Sequence, residues 1–244
     1  MRDLALLALA TVTGAVAGTA VNALILPPVH VDDSRAAVRR LAQATSALLH
    51  DMSRGLREQQ QTGRPEVWLS RARRLEEEIA EARDQVRPVE ESLRWNIRCT
   101  VQAPRRPGTC GEALRVPHGA SLQVRGIART LADIVEDPRA DRRPGPLFTD
   151  RYAETLEPAG RSVEAFAGLE HTDAREQVRT ALDQAHAWHD SMTELVEHGA
   201  LTRPDAWHVH GALVTDAERL LSDLHRAEVS ERWKTTLFPR LRCP

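Results

Sequence analysis

Aromatic residues, lysine and cysteine are scarce in this chain of 244 residues. Aromatic side chains make up 4%, Lys234 is the only lysine among 33 basic residues, and there are three cysteines. A small, odd number of cysteines excludes a disulfide framework and is typical of a reducing compartment. The 35 acidic residues leave a net charge of −2, whereas a general nucleic-acid-binding protein shows a basic excess. We therefore expect no nucleic-acid partner.

Sequence patterns that support catalysis or cofactor binding are missing as well. The chain has no phosphate-binding GxxxxGK[ST] loop, no GxSxG nucleophile and no HExxH metal motif. His186, His189 and Asp190 could face one ion, but ten histidines in the chain make such pairs common. Cys99 and Cys110 match no zinc or redox spacing. The sequence predicts a protein that is not an enzyme and has no catalytic residue, cofactor or metal.

One long uncharged run stands out against this polar composition. Leu4–Leu26 reads LALLALATVTGAVAGTAVNALIL and contains 23 residues without a charge. A helix of that length measures roughly 34 Å, enough to cross a hydrocarbon core of about 30 Å. Pro27 and Pro28 would end the helix, so a transmembrane helix is predicted within 1–28. A signal peptide cleaved after Ala23 remains the alternative.

The arginines around this run predict its orientation. Arg35, Arg39 and Arg40 follow the run closely, whereas Arg2 is the only basic residue before it. Because cytoplasmic flanks carry the excess of positive charge, the C-terminal region is expected in the cytoplasm. The chain would then cross the inner (plasma) membrane once.

One face of the predicted span is made of small residues. Ala10, Gly14, Gly18 and Asn22 follow one another at four-residue steps, and Gly14 and Gly18 form a GxxxG pattern. Small side chains let two helices approach closely in lipid, and Asn22 could add an interhelical hydrogen bond. The expected partners are the lipid bilayer and other transmembrane helices, either of a transporter or of a homo-oligomer.

The rest of the chain has helical periodicity, with no pattern typical of strands. The fold class is therefore all-α: one N-terminal transmembrane helix followed by a cytoplasmic bundle of about six long helices with coiled-coil-like hairpins. The strongest periodic signal is a seam of apolar residues that alternate steps of four and three: Trp68, Ala72, Leu75, Ile79, Ala82, Val86, Val89 and Leu93.

Two polar connectors suggest how this helical region is divided. Residues 99–119 are rich in proline and glycine, and helical periodicity resumes around Leu122. Residues 138–146 form a second linker. After the span at 1–28, the predicted parts are a first helical hairpin region at 29–137, a second helical region at 138–229 and a flexible tail at 230–244.

Several segments resemble a known family of membrane proteins. NALILPPVH at 22–30 and RAAVRRLA at 35–42 are similar to the exit of the last membrane helix in actinobacterial proteins of the fusaric acid resistance (FUSC) type, also called aromatic acid exporters. VRGIARTLAD at 124–133 and the segment 213–224 resemble the cytoplasmic helical region of the same family. The resemblance covers most of the chain.

This resemblance implies a role in the export of small aromatic or other organic acids. Family members carry several membrane helices before the one matched here, so the chain would be the C-terminal portion of an inner-membrane exporter. It would contribute one span and a cytoplasmic helical domain for assembly or regulation. The alternative is a stand-alone, membrane-tethered coiled-coil scaffold or adaptor.

Overall fold

The computed structural model describes six segments of the chain. Their residues are 31–58, 64–95, 114–137, 143–167, 173–199 and 207–229, with side chains described for 36–58, 65–84, 114–137, 143–166, 173–199 and 207–229. The helices are α1 (Val31–Arg57), α2 (Arg64–Trp95), α3 (Arg115–Glu136), α4 (Pro146–Ala167), α5 (Ala174–Glu197) and α6 (Trp207–Val229). These segments contain no strand, which confirms the prediction of an all-helical protein with about six helices.

The predicted transmembrane helix within 1–28 lies outside the described residues. None of the helices that the structure describes is long and apolar enough to cross a membrane. Contacts within the chain divide it into two units, Met1–Asp33 and Ser34–Pro244, and the packing of the bundle from Val38 onwards belongs to the second unit.

Helix α3 begins earlier than the sequence pattern predicted. The connector was expected to reach residue 119 and the helix to resume around Leu122, but α3 starts at Arg115 and includes Pro117. Proline is tolerated in a first helical turn, because the N–H groups there have no partner within the helix. The predicted connector therefore extends too far, because Pro117 is buried in the first turn of α3.

Neighbouring helices of the bundle are joined mainly in antiparallel pairs. Helix α2 packs against α3, α3 against α6, and α5 against both α4 and α6. Helix α1 joins α4 through the Ser53 hydroxyl, which donates a hydrogen bond of 2.8 Å to the carbonyl oxygen of Ala153. Helices α4 and α6 run parallel. Phe148 of α4 packs on His210 of α6. One turn further along both helices, the hydroxyl of Tyr152 donates a hydrogen bond to the carbonyl oxygen of Leu213.

The core is a cluster of aliphatic side chains with few aromatic rings. All six helices contribute to the main cluster, so both predicted helical regions, 29–137 and 138–229, supply residues to it. A smaller cluster joins α1, α2 and the start of α3, and its members are Val38, Leu41, Leu75, Ile79, Ala82 and Leu114. Regular apolar spacing along each helix explains this arrangement, because residues three and four apart lie on the same helical face.

Two glycines allow helices to approach one another very closely. A Cβ atom at Gly160 of α4 would lie 2.8 Å from the imidazole ring of His50 and 3.3 Å from the Cβ of Leu49 on α1. At Gly126 of α3, a Cβ atom would lie 2.5 Å from the carboxylate of Asp216 on α6. At Gly160 the nearby Cβ of Leu49 makes the small volume of glycine necessary, whereas at Gly126 the side chain of Asp216 would have to move.

Candidate functional site

The seam predicted on α2 lies at the contact between α2 and the rest of the bundle. Its first five residues, Trp68, Ala72, Leu75, Ile79 and Ala82, are all buried. The last three, Val86, Val89 and Leu93, belong to the same helix, and their side chains lie outside the described residues. This surface of α2 therefore serves packing within the chain over the length for which side chains are described.

The residues predicted to act at the membrane are only partly described. The small-residue face formed by Ala10, Gly14, Gly18 and Asn22 lies outside the described residues. Of the arginines predicted to determine topology, Arg39 and Arg40 are exposed on α1, and Arg35 belongs to α1 with its side chain outside the described set. The structure thus places two of these arginines on the bundle surface.

Asp51, near the C-terminal end of α1, connects this helix to α2. One of its carboxylate oxygens accepts a hydrogen bond of 3.0 Å from the indole nitrogen of Trp68. The same oxygen accepts a second bond, of 2.9 Å, from a guanidinium nitrogen of Arg71. Asp51 is the only acidic residue between 36 and 57, so the negative charge of this stretch is directed towards α2.

A surface of α1 next to Asp51 carries several exposed arginines, and the exposed Glu58 follows directly after the last of them. Six exposed residues of α1 form this basic face: Arg39, Arg40, Gln43, Ala47, Arg54 and Arg57. Positions 40, 47 and 54 repeat every seven residues, and positions 39 and 57 are 18 residues, or five turns, apart. Among the residues that the structure describes, no carboxylate forms an ion pair with Arg40, Arg54 or Arg57.

A group of buried polar side chains joins α4, α5 and α6. The hydroxyl of Tyr152 donates a hydrogen bond of 3.0 Å to the carbonyl oxygen of Leu213. His189 donates one of 3.2 Å from Nε2 to the carbonyl oxygen of the next residue, Val214. Burial raises the pKa of Tyr152 well above its ordinary value, and the negative charge of Asp216 raises it further. These bonds hold two different helices against consecutive residues of α6.

Asp216 is a half-buried carboxylate at the contact between α3 and α6. Burial raises the pKa of Asp216, while the nearby guanidinium of Arg219 opposes this increase. The two groups lie 3.8 Å apart on successive turns of α6. On α3, Gly126 leaves the space that the carboxylate occupies.

Charged residues also line the contact between α2 and α3. Arg125 of α3 forms an ion pair with Glu76 of α2. Arg83 lies 3.2 Å from His118, measured between a guanidinium nitrogen and Nε2. The pKa of His118 is lowered, first by burial and then by the positive charge of Arg83, against an opposing effect of Glu76. His118 is therefore held in its neutral form at pH values where a free histidine is partly charged.

The histidines considered for metal binding are used in helix packing. His186 donates a hydrogen bond of 2.9 Å from Nδ1 to the carbonyl oxygen of Leu182. The bond from His189 to Val214 occupies Nε2, and Nδ1 lies 3.9 Å from Asp190. Within the described residues, no three His, Cys, Asp or Glu side chains come together in a group that could hold a metal ion.

Two open depressions on the described surface are large enough to consider as binding sites. The larger, of about 720 Å³, lies between α4 and α5, where Arg161 donates a hydrogen bond of 2.8 Å to Gln184. The smaller, of about 310 Å³, lies between the end of α3 and the start of α6 and is bordered by Asp133, Asp137 and His208. Both are bordered by residues of mixed polarity, without the apolar enclosure that is typical of small-molecule sites.

Comparison of the chain with known proteins identifies no relative. No protein-family model, no curated protein and no solved structure matches this chain. Among the described residues, the features that bear on function are the basic face of α1 and the buried hydrogen bonds that hold α4 and α5 to α6.

Proposed function

We propose that this chain is the C-terminal portion of an inner-membrane exporter of aromatic or other organic acids. In this proposal, Leu4–Leu26 crosses the membrane, and the helical bundle acts on the cytoplasmic side in assembly or regulation. The bundle performs no chemistry of its own.

The observation that carries the proposal is the direct succession of the uncharged run and the bundle. Helix α1 begins at Val31, five residues after the end of the run at Leu26. Pro27 and Pro28 lie between them, and proline ends a helix because it lacks the backbone N–H. Exposed arginines then follow on α1, as expected for a cytoplasmic flank.

The interior of the bundle supports a role in assembly or regulation. Trp68, Tyr152 and Phe148 are among the largest fully buried side chains, and the bonds of Tyr152 and His189 to α6 hold the helices in register. A bundle held in this way provides a stable surface next to the membrane.

The first experiment tests anchoring and orientation. The full chain, expressed in cells, is expected to stay in the membrane fraction after alkaline carbonate extraction. Cys99, Cys110 and Cys243 all follow the run, so a membrane-impermeant thiol reagent is expected to leave them unlabelled in intact cells. In a chain whose native cysteines are replaced by serine, the variant Asp3→Cys is the control and should be labelled. Release by carbonate, or labelling of the native cysteines, would contradict the proposal.

The second experiment tests export. Cells lacking the chain are expected to accumulate more radiolabelled benzoate, and the full chain should restore the lower level. The variant Gly14→Leu/Gly18→Leu should fail to restore it, because bulky side chains block close packing of membrane helices. Its matched control, Ala5→Leu/Ala20→Leu, adds similar bulk on the side of the helix opposite the small-residue face.

The outcomes of these experiments also separate the two functional hypotheses. A chain that is anchored in the membrane but has no effect on benzoate accumulation would support the alternative, a membrane-tethered scaffold or adaptor. Equal behaviour of the two leucine variants would contradict a packing role for Gly14 and Gly18.

A further inference from the structure

We propose that the basic face of α1 binds the anionic headgroups of the membrane surface. The inference rests on the proposed function in one respect only, the anchoring that brings α1 close to lipid. The binding itself follows from the charge, exposure and position of the face.

The basic face has the composition that anionic lipid attracts. Arg40, Arg54 and Arg57 are exposed, and within the described part of the chain they form no ion pair. A guanidinium group binds phosphate through paired hydrogen bonds and is always charged. Each arginine near an anionic surface favours the bound state by about fivefold, so three of them together favour it on the order of a hundredfold.

Asp51 lies beside the basic face, and its negative charge is balanced by a residue of α2. It is the one acidic residue of the stretch 36–57, and its carboxylate is engaged by Trp68 and Arg71 of α2. Asp51 lies one turn from Ala47 and Arg54, and the guanidinium of Arg71 balances its negative charge. Gln43 and Ala47 complete the face without adding charge.

The position of the face in the chain favours lipid over a protein partner. Arg39 follows Leu26 by only thirteen residues, so anchoring at Leu26 would hold the face near the headgroups continuously. A protein partner has to arrive by diffusion. One protein surface with complementary charge exists on a second copy, since Asp183, Asp190, Glu194 and Glu197 are exposed along α5. Binding to that acidic surface is the competing outcome in the test.

The experiment measures how well a cysteine in the basic face is protected by lipid. The full chain, with its native cysteines replaced by serine, carries Ala47→Cys at the centre of the face. It is reconstituted into vesicles of phosphatidylcholine alone or of phosphatidylcholine mixed with phosphatidylglycerol. The rate of thiol labelling is expected to fall by at least about tenfold in the anionic vesicles. High salt should restore the rate, because it screens exposed charges.

Two matched controls make the result specific. Ala187→Cys places the probe on the exposed, acidic side of α5, where the labelling rate should not depend on phosphatidylglycerol. In the Ala47→Cys chain, Arg40→Gln/Arg54→Gln/Arg57→Gln should abolish the protection. The variant Arg73→Gln/Arg74→Gln/Arg179→Gln removes the same number of charges from exposed positions outside the basic face, and the probe should remain protected.

Three results would overturn the inference. The first is equal labelling of Ala47→Cys in both kinds of vesicle. The second is equal protection of Ala47→Cys and Ala187→Cys, which would indicate general shielding. The third is protection in neutral vesicles that increases with protein concentration, which would indicate binding to a second copy. Carbonate extraction of the same samples tests anchoring separately, so a failure of the proposed function is distinguishable from a failure of lipid binding.

Discussion

Replacing Gly160 by alanine tests how closely α1 and α4 approach one another. The new methyl group would lie 2.8 Å from the imidazole ring of His50 and 3.3 Å from the Cβ of Leu49. The ring has little freedom to move, because Nε2 donates a hydrogen bond of 3.2 Å to the carbonyl oxygen of Glu157. The Cβ of Leu49 can move only if the backbone of α1 moves.

The expected change in the free energy of unfolding combines three contributions. Alanine in place of glycine within a helix normally stabilises by about 1 kcal/mol. Inserting a methyl group into a packed contact costs about 1–3 kcal/mol, and loss of the hydrogen bond from His50 costs about 1 kcal/mol. Gly160→Ala is therefore expected to destabilise the protein by about 1–3 kcal/mol, the opposite sign to the effect of helix propensity alone.

Urea unfolding followed by far-ultraviolet circular dichroism measures this change. Gly211→Ala is the matched control, because Gly211 lies in α6 with open space around its missing Cβ, and it should stabilise by about 1 kcal/mol. In a His50→Ala background, Gly160→Ala should cost less, since the ring is gone. If Gly160→Ala stabilises the protein as much as Gly211→Ala does, the close approach of α1 and α4 is refuted.

Three further predictions concern polar groups at helix contacts, all measured on the purified full chain. Tyr152 is the only tyrosine, and burial raises its pKa, so absorbance should show no phenolate near pH 10 in the folded protein. The free energy of unfolding should fall as the pH rises above 10, because the unfolded chain then ionises more readily than the folded one. Tyr152→Phe should remove this pH-dependent fall in stability. Trp68→Phe, which removes the bond to Asp51, should cost about 2 kcal/mol in urea unfolding, and an unchanged midpoint would contradict that bond. Because the pKa of His118 is lowered in the folded protein, its contribution to stability is present above pH 6.5 and is lost as the pH falls through the folded-state pKa. His118→Gln should therefore flatten the dependence of the free energy of unfolding on pH below 6.5. An unchanged dependence would contradict this role of His118.

The all-helical architecture could be predicted from apolar spacing. The seam from Trp68 to Ala82 recurs at steps of four and three, and all five of its residues in that stretch are buried. Such spacing identifies the buried face of a helix, because the face follows from local geometry. It does not identify the neighbouring helix, since any apolar face can pack against any other.

Hydrogen bonds between helices could not be predicted, because the sequence does not show which helices are neighbours. Ser53 bonds to Ala153, which is 100 residues away, and nothing in either local sequence indicates the pairing. The start of α3 was also missed, because Pro117 reads as a breaker unless its position in the first turn is known. The basic face was only partly foreseen: Arg39 and Arg40 were assigned to topology, while the continuation to Arg54 depended on the burial of the opposite side of α1.

The pairing of α1 with α4 has a consequence for synthesis on the ribosome. Ser53 and Ala153 are 100 residues apart, and translation at roughly 5–20 residues per second takes about 5–20 s to cover that distance. During this interval Leu49 and Met52, fully buried in the finished bundle, have no helix α4 to pack against. The nascent chain therefore presents an apolar helix for seconds, long enough for chaperones or the membrane-insertion machinery to bind it before the bundle closes.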